Sequence, residues 1–402
     1  AVFCATIVAT MRGYFQGLQD MMPTAVSQIV EQLVRVVTMI GLAIILLPKG
    51  LEYGAAGATL GAAPGALIAI FVLLWCYWIE RKTRKELYLT QNKSIVPDST
   101  FTILKRLIIL AIPVSLANIM VPIVSSIDLL IVPKRLEVAG FTVEQATTLF
   151  GYLTGMATSL INMPTIVTAA FAASLVPGIS EANIKKDFDT VRKRTQTAMR
   201  LACIITIPAF VGLCVIATPI STLLYAIPDA GPCIAVMSLG VFFLGIQQVT
   251  TGVLQGLGKT AIPFINMVAS AFIKIGLSWY LTAIPSLGVL GSAWATNADF
   301  GIAALLNLVC LYKIMEYKMD WIHTGKVFLS SAIMGSAVWF SYKGILQVTH
   351  SNTLSSLLSI VLGGIVFLVA VLITKTVTAQ DVREMPKVGN QLANIIEKLT
   401  WK

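Results

Sequence analysis

The stretch that decides the fold is residues 12–36, which read RGYFQGLQDMMPTAVSQIVEQLVRV. A bend containing Gly and Gln leads into an apolar segment that nevertheless carries Glu31 and Arg35. A shorter copy of the stretch, GVLQGLGKTAIPFI, recurs at 252–265. Each copy joins two apolar segments, so the sequence predicts a repeated helix–bend–helix unit that places charge within an apolar environment.

The composition is that of a membrane protein. Of the 402 residues, 56% are hydrophobic and 12% are charged, whereas about a quarter of the residues in a soluble domain are charged. Uncharged runs close to the ~20 residues needed to cross a ~30 Å hydrocarbon core recur along the chain. These runs are continuous rather than alternating with period two, which argues against a membrane β-barrel. We therefore predict an all-α, polytopic transmembrane helical bundle.

The apolar runs predict about eleven membrane spans. They cover residues 1–11, 23–47, 53–79, 103–133, 145–175, 196–220, 231–255, 261–283, 287–312, 325–346 and 353–375.

Loops on alternate sides of these spans differ in their Lys and Arg content. The basic loops are 80–100, 181–195, 257–260 and 313–326, and the positive-inside rule makes them cytoplasmic. The net charge of +10 therefore reflects topology rather than affinity for nucleic acid. Residues 385–402 place apolar side chains on one helical face, which predicts an amphipathic helix and a C-terminus on the cytoplasmic membrane surface.

The two copies of the bend indicate an internal repeat. About six predicted spans separate them, and an even number preserves orientation, so the halves are predicted to be parallel repeats. Four predicted spans precede the second copy, but only a partial span precedes the first. We therefore expect about three and a half N-terminal spans outside this sequence, and about fourteen spans in the intact protein.

The repeat also suggests domain boundaries. The predicted parts are the remainder of an N-terminal lobe at 1–79, a basic linker at 80–102, a six-helix C-terminal lobe at 103–312, a terminal helix pair at 325–375 and the tail at 385–402.

Charged and amide side chains share one face of the span that follows the first bend. Gln28, Glu31 and Arg35 recur at helical spacing. At 1.5 Å per residue from Pro23, Glu31 is about 12 Å and Arg35 about 18 Å along the helix. A charge at that depth costs about 2.5–3.5 kcal/mol, so this face must adjoin protein or a water-filled cavity. Two interpretations remain: a structural Glu31–Arg35 pair, or a cavity wall on which Arg35 contacts substrate.

A second cation follows the second bend. Asn266, Ser270 and Lys274 recur every four residues, and Lys274 lies about 16 Å along the helix from Pro263. No acidic residue of that helix can pair with it. Snorkelling toward the membrane surface is the alternative explanation for a lone lysine. We predict that Asn266 and Lys274 bind substrate.

Two aspartates in apolar segments are candidates for ion coupling. Asp299 could pair with Lys274 or act as a cation-coupling acid. Asp128 belongs to a segment with three prolines, which kink helices and free their carbonyls, and broken helices often line transport pathways. A polar stripe at Thr154, Thr158, Asn162 and Thr165 is typical of helix packing; Asn162 is retained as a substrate-binding candidate.

No convincing catalytic, metal or cofactor site is present. GLGKT at 256–260 resembles the end of a phosphate-binding loop, but Val253 replaces the glycine that the motif requires. DFD at 187–189 could be a metal-binding acidic pair, although a solvated helix start explains it better. The six cysteines form no C-x-x-C pair and there are only two histidines, which argues against a disulfide framework or a zinc site.

Three motifs resemble those of a known family. They are the opening stretch, GYLTGMATSLINMPTIVTAAFAASLVPGISEA at 151–182, and GVLQGLGKTAIP at 252–263. The chain resembles, along essentially its whole length, the polysaccharide-biosynthesis exporters that include stage V sporulation protein B-like proteins and lipid II flippases. This superfamily also holds the multidrug and toxin extrusion (MATE) antiporters.

The resemblance implies two MATE-like lobes that work by alternating access in a bacterial plasma membrane. It implies that the substrate is an undecaprenyl-diphosphate-linked saccharide, such as a cell-wall precursor, and that cell-wall synthesis enzymes are possible partners. Arg35 and Lys274 would then hold the diphosphate. The alternatives are a cation-coupled drug exporter, in which Glu31, Asp128 and Asp299 matter more, and a membrane glycosyltransferase using the DFD string.

Overall fold

A computed structural model describes residues 2–18, 20–79, 99–374 and 376. Every regular element within these residues is helical, which confirms the all-α prediction. Most of the predicted linker at 80–102 and the whole predicted amphipathic tail at 385–402 lie outside the described residues. The contacts divide the chain into two units, Ala1–Leu104 and Lys105–Lys402.

The described residues of the first unit contain four complete helices. They are α1 (Val2–Gly17), α2 (Met22–Leu46), α3 (Leu51–Leu60) and α4 (Ala62–Ile79), with a short 3₁₀ turn at Leu47–Lys49.

Small residues let α2 and α4 approach closely. A Cβ added to Gly61 would lie 2.5 Å from the Cα of Met39, and one added to Gly65 would lie 2.8 Å from the carbonyl oxygen of Glu31. Phe15 of α1 and Leu73 of α4 are fully buried in the small core of this unit. The span predicted at 53–79 is thus two helices that meet at Gly61.

The second unit contains ten helices among the described residues, the first of which begins just before it. They are α5 (Thr100–Val138), α6 (Val143–Gly151), α7 (Thr158–Ile184), α8 (Phe188–Val215), α9 (Ala217–Tyr225), α10 (Gly231–Gly256), α11 (Ala261–Leu281), α12 (Val289–Met315), α13 (Trp321–Thr349) and α14 (Asn352–Ile373).

Helix α10 is the centre of the second unit. It packs against α7, α8 and α12, and its apolar residues contribute to both large core clusters. Gly252 and Gly256 face α7, where an added Cβ at Gly252 would lie 2.7 Å from the carbonyl oxygen of Ala172. The glycines of the second sequence copy therefore bring two membrane-spanning helices into backbone contact, a common packing device in membranes.

Adding a methyl group at Gly252 is expected to destabilise the protein by about 1–3 kcal/mol, because the backbone of α7 must move to accept it. Gly276→Ala on α11 is the matched control, since an added Cβ there meets nothing within 4 Å. Denaturant unfolding in detergent micelles measures both. Equal stability of the two variants would contradict the proposed close packing of α7 and α10.

Nine helical segments in the described part of the chain are long and apolar enough to cross a membrane, so this is a multi-pass membrane protein. Two of the eleven predicted spans are not among these nine segments. The predicted span 1–11 belongs to α1, which has only 16 residues. The predicted span 325–346 belongs to α13, which does not meet the same requirement of length and apolar character.

Three predicted boundaries also change. The 145–175 span contains a π-helical segment, Tyr152–Ala157, and continues to Ile184. The 196–220 span is interrupted at Ile216, between α8 and α9. The basic stretch 181–195 is mostly helical rather than a loop, because α8 begins at Phe188.

Candidate functional sites in the two units

A cavity of about 400 Å³ lies inside the second unit. Its walls are α5, α7, α10, α11 and α12, together with the π-helical segment. The polar residues that line it are Ser125, Asp128, Thr154, Thr158, Asn162, Gln247, Gln248, Lys274, Thr296 and Asp299.

A buried ion pair bridges two walls of this cavity. The Nζ of Lys274 on α11 lies 2.8 Å from Oδ2 of Asp128 on α5, and the two side chains are only 8% and 12% exposed. Lys274 is therefore not the unpaired cation that the sequence suggested. Its ion-pair partner is Asp128, whereas Asp299 was considered for that role. The pair neutralises two charges that would be expensive to bury separately.

Asp299 of α12 contacts α11 one turn away from Lys274. Its Oδ1 accepts a hydrogen bond of 2.6 Å from the hydroxyl of Ser270 on α11. Charged residues of the cavity lining are thus one ammonium and two carboxylates: Lys274, Asp128 and Asp299. The lining of this cavity therefore contains more acidic than basic side chains.

The π-helical segment shapes the polar wall. Immediately after it, the hydroxyl of Thr158, the first residue of α7, donates to the carbonyl oxygen of Leu153, five residues earlier, at 2.8 Å. π-Helical segments occur frequently at functional sites. Here the segment and the start of α7 present Thr154, Thr158 and the exposed side chain of Asn162 to the cavity.

On the facing helix α10, the side-chain oxygen of Gln247 is buried and has no hydrogen-bond partner in the described structure. Gln247 lines the cavity. Leaving a buried acceptor unsatisfied costs about 1–3 kcal/mol. This atom is therefore a ready acceptor for a hydroxyl or amide donor of a bound molecule.

Asn266, for which the sequence predicts substrate binding, is not among the residues that line this cavity. Its amide donates to Oδ1 of Asn307 at 2.9 Å, and Asn307 in turn donates to the hydroxyls of Thr250 and Thr251 at 3.1 Å each. This buried network ties together α10, α11 and α12. The position of Asn266 serves helix packing.

In the first unit, one carboxylate holds two guanidinium groups. Oε2 of Glu31 lies 2.8 Å from Nη2 of Arg12, and Oε1 lies 2.6 Å from Nη2 of Arg35. Nε of Arg12 also donates to the hydroxyl of Ser27 at 3.1 Å. We call Arg12, Glu31 and Arg35 the arginine triad.

The triad corrects the interpretation of the charged residues in the stretch 12–36. The Glu31–Arg35 pair exists as predicted, but Glu31 does not simply neutralise Arg35, because Arg12 shares it and the triad keeps one net positive charge. Arg12 was missed because it precedes the bend. The repeated helix–bend–helix pattern could have indicated Arg12, since antiparallel helices joined by a short bend bring the end of the first beside the start of the second.

Gln28, which was also predicted to bind substrate, is exposed on α2.

The two enzyme-like strings have structural explanations. Asp187 is the N-cap of α8, where its carboxylate accepts from the amide of Thr190 at 3.0 Å and from its hydroxyl at 2.6 Å. These hydrogen bonds hold the pKa of Asp187 below its usual value. The GLGKT string is the bend between α10 and α11, in which Gly258 has a φ of +73°.

Comparison with known proteins gives two overlapping family matches. Residues 1–182 match the family model described as "Polysaccharide biosynthesis protein" and residues 113–280 match the one described as "MatE". Neither match covers half of the chain, and together they span residues 1–280. The two matches, with the relatives below, confirm the resemblance inferred from the three motifs.

Two relatives from Bacillus subtilis show the extent of this similarity. Stage V sporulation protein B is 28% identical over 388 residues, covering 95% of this chain and 73% of the relative. Lipid II flippase MurJ is 27% identical over 353 residues, covering 84% of this chain and 63% of the relative.

A solved structure shows the same fold. Lipid II flippase MurJ in an inward closed conformation superposes with a TM-score of 0.56 at 18% identity, over 85% of this chain. The chain spans 65% of that solved chain. Since identity is this low, the superposition supports the shared fold and says nothing of the substrate.

Proposed function

We propose that this polysaccharide-biosynthesis protein is a flippase for a lipid-linked saccharide, specifically an undecaprenyl-diphosphate-linked cell-wall or polysaccharide precursor. It would carry the headgroup from the inner to the outer leaflet by alternating access, in a bacterial plasma membrane and with a cytoplasmic C-terminus. The observation that carries this proposal is the polar cavity enclosed by apolar helices of the second unit. A named flippase among its relatives supports the same class.

The cavity suits a hydroxyl-rich headgroup. Gln247 offers an unsatisfied acceptor, while Asn162, Thr154 and Thr158 offer both donors and acceptors on the opposite wall. Methionines at 120, 237 and 267 also line the space, and their flexible thioethers adapt to irregular shapes. A saccharide satisfies the polar atoms that an apolar drug would leave unpaired.

The Lys274–Asp128 pair suits a moving wall. It joins α11 to α5, a helix with prolines at 113, 122 and 133. Moving α5 away from α11 leaves the charges of Lys274 and Asp128 buried and unpaired, unless a new partner replaces one of them. A substrate phosphate can take the place of Asp128 beside Lys274, so substrate arrival lowers the cost of moving α5 away from α11.

The second candidate is a cation-coupled exporter of the same fold. It is favoured by the two acidic side chains, Asp128 and Asp299, that line the cavity beside a single ammonium group. In that case Asp299→Asn would abolish transport and Gln247→Leu would leave it intact. For a saccharide flippase, loss of the acceptor in Gln247→Leu is expected to weaken transport.

The sidedness of lipid-linked precursors in depleted cells tests the proposal. Depletion in a strain without a redundant flippase is expected to raise the precursor fraction on the cytoplasmic face, because the diphosphate–saccharide headgroup does not cross the hydrocarbon core unaided. Complementation with the wild-type gene is the control. Unchanged exposure on the outer face after depletion would overturn the proposed function.

A further inference from the structure

We propose that Arg135 and Trp279 form an outer latch, which holds the cavity of the second unit closed toward the outer face. Arg135 is a positioning residue, because it lies beyond the cavity lining and fixes the end of α5. The proposal rests on the proposed function and on its topology, in which residues 134–142 lie outside. It explains an arginine on the face where the positive-inside rule disfavours one.

Arg135 makes two contacts with one residue of α11. Its Nε donates to the carbonyl oxygen of Trp279 at 2.9 Å, and its guanidinium carbon lies 4.5 Å from the centre of the Trp279 ring. Trp279 belongs to the last turn of α11, where carbonyl oxygens lack the amide donors of the regular helix and the helix dipole favours a cation. The outer latch therefore joins the end of α5 to the end of α11.

The end of α11 is itself held firmly by α12. The hydroxyl of Ser278 on α11 donates to the hydroxyl of Ser292 on α12 at 3.3 Å, and both side chains are fully buried. Gly291 of α12 lies so close to the backbone of Leu281 that a Cβ at this glycine would have no room. Because α11 is fixed in this way, the outer latch attaches α5 to a rigid support.

The buried residues of α5 form one stripe in its C-terminal part. Among its described side chains the first buried one is Val124, and Asp128, Val132 and Leu136 follow at intervals of four. Val124 and Asp128 line the cavity, whereas Val132 and Leu136 are fully buried in an apolar core cluster with residues of α10 and α12. This packing closes the outer end of the cavity, so α5 must leave it before the cavity can open outward.

The outer latch and the Lys274–Asp128 ion pair join the same two helices at different depths. Arg135 comes seven residues after Asp128, which is about 10 Å further along α5 at 1.5 Å per residue. The ion pair is buried, whereas Trp279 is 51% exposed. Water can replace the contacts of an exposed cation at little cost, but it does not reach the buried pair. The outer latch can therefore open first, and its strength sets the fraction of molecules that are closed outward.

Labelling of a cysteine in the cavity tests the outer latch in the full-length protein. Ser125→Cys places a thiol on α5 in the cavity lining, and a membrane-impermeant thiol reagent is added to the outer face or, in inverted vesicles, to the cytoplasmic face. The same protein without Ser125→Cys gives the labelling of the native cysteines. Arg135→Gln is expected to raise the labelling rate from the outer face about tenfold, because a hydrogen bond from a charged donor is lost, and to lower the rate from the cytoplasmic face.

Further variants separate the two contacts of the outer latch. Trp279→Leu removes the ring and keeps the carbonyl acceptor, so the rise in outer-face labelling should be smaller, and this variant carries the test if Arg135→Gln does not fold. Arg135→Lys keeps the cation but loses the planar guanidinium, and an intermediate rate is expected. Lys134→Gln is the matched control, because it removes one positive charge from the adjacent exposed residue, and it should leave labelling from both faces unchanged.

Two outcomes would overturn the outer latch. One is outer-face labelling at the wild-type rate in both Arg135→Gln and Trp279→Leu. The other is an equal rise of labelling from both faces, which indicates a loosened structure rather than outward opening. Labelling involves no substrate, so the expected shift between the two faces, combined with unchanged precursor sidedness in depleted cells, would reject the proposed function alone.

Discussion

Replacing Lys274 with methionine is expected to destabilise the protein by about 3–5 kcal/mol, because the change leaves the Asp128 carboxylate buried without its cation. Transport of a lipid-linked saccharide in reconstituted vesicles is expected to fall at least tenfold. Unfolding in detergent gives the first quantity and the rate of outer-leaflet exposure of labelled lipid gives the second. Lys313→Met, at an exposed position near the end of α12, is the control for loss of one positive charge.

The double variant Lys274→Met/Asp128→Leu separates structure from mechanism. Removing both members of a buried pair is much less costly than removing one and is often neutral. We therefore expect stability close to that of wild type, with transport still low because no ammonium remains to exchange Asp128 for a phosphate. Normal transport by the double variant would show that the pair is only a packing element.

Collapsing an inside-negative membrane potential is expected to abolish most of the outward accumulation of substrate. A diphosphate diester carries about two negative charges, so outward movement gains roughly 4.6 kcal/mol per 100 mV, twice the 2.3 kcal/mol for one charge. That corresponds to a change of about three orders of magnitude in the equilibrium distribution, at 1.36 kcal/mol per factor of ten.

The potential can be set in vesicles with a potassium gradient and valinomycin. The expected result is that the labelled lipid accumulates in the outer leaflet when the interior is negative and equilibrates when the potential is zero. Gln247→Leu vesicles provide a weakened-binding comparison with the same charge in the cavity. A distribution that ignores the potential but follows an imposed proton or sodium gradient would instead favour the cation-coupled exporter.

Local features of this molecule could be predicted from the sequence. The Glu31–Arg35 pair follows from helical spacing alone, and the structure places it as expected. The repeated motif also connects helices as it indicates: α1 ends at Gly17 and α2 begins at Met22, while α10 ends at Gly256 and α11 begins at Ala261. Such features depend on neighbouring residues along one helix or on turn chemistry, and for that reason a single sequence contains them.

Contacts between distant helices could not be predicted in the same way. Lys274 pairs with Asp128 rather than Asp299 because α5, with its three prolines, lies beside α11, and nothing in either segment specifies that neighbour. Asn266 shares the helical face of Lys274 in the sequence, yet its amide is directed to Asn307 of α12. One helical face can thus hold a cavity residue at one position and a packing residue two turns away.

The hydropathy pattern also could not predict irregularities of the backbone. The break at Gly61 and the π-helical segment Tyr152–Ala157 leave the apolar runs continuous. Both arise from packing: Gly61 lies against the backbone of Met39, and the π segment turns polar side chains toward the cavity. Runs of apolar residues report the length of a span and not its internal geometry.

Flipping by the purified full-length protein in vesicles tests the central claim most directly. A fluorescent undecaprenyl-diphosphate disaccharide is incorporated into both leaflets, and a membrane-impermeant reductant then quenches the label on the outer leaflet. We predict that wild-type protein exposes the inner-leaflet label as well, while Lys274→Met protein leaves it protected. Inner-leaflet label that stays protected with folded wild-type protein, at an imposed inside-negative potential, would contradict the proposal that this protein is a flippase for lipid-linked saccharides.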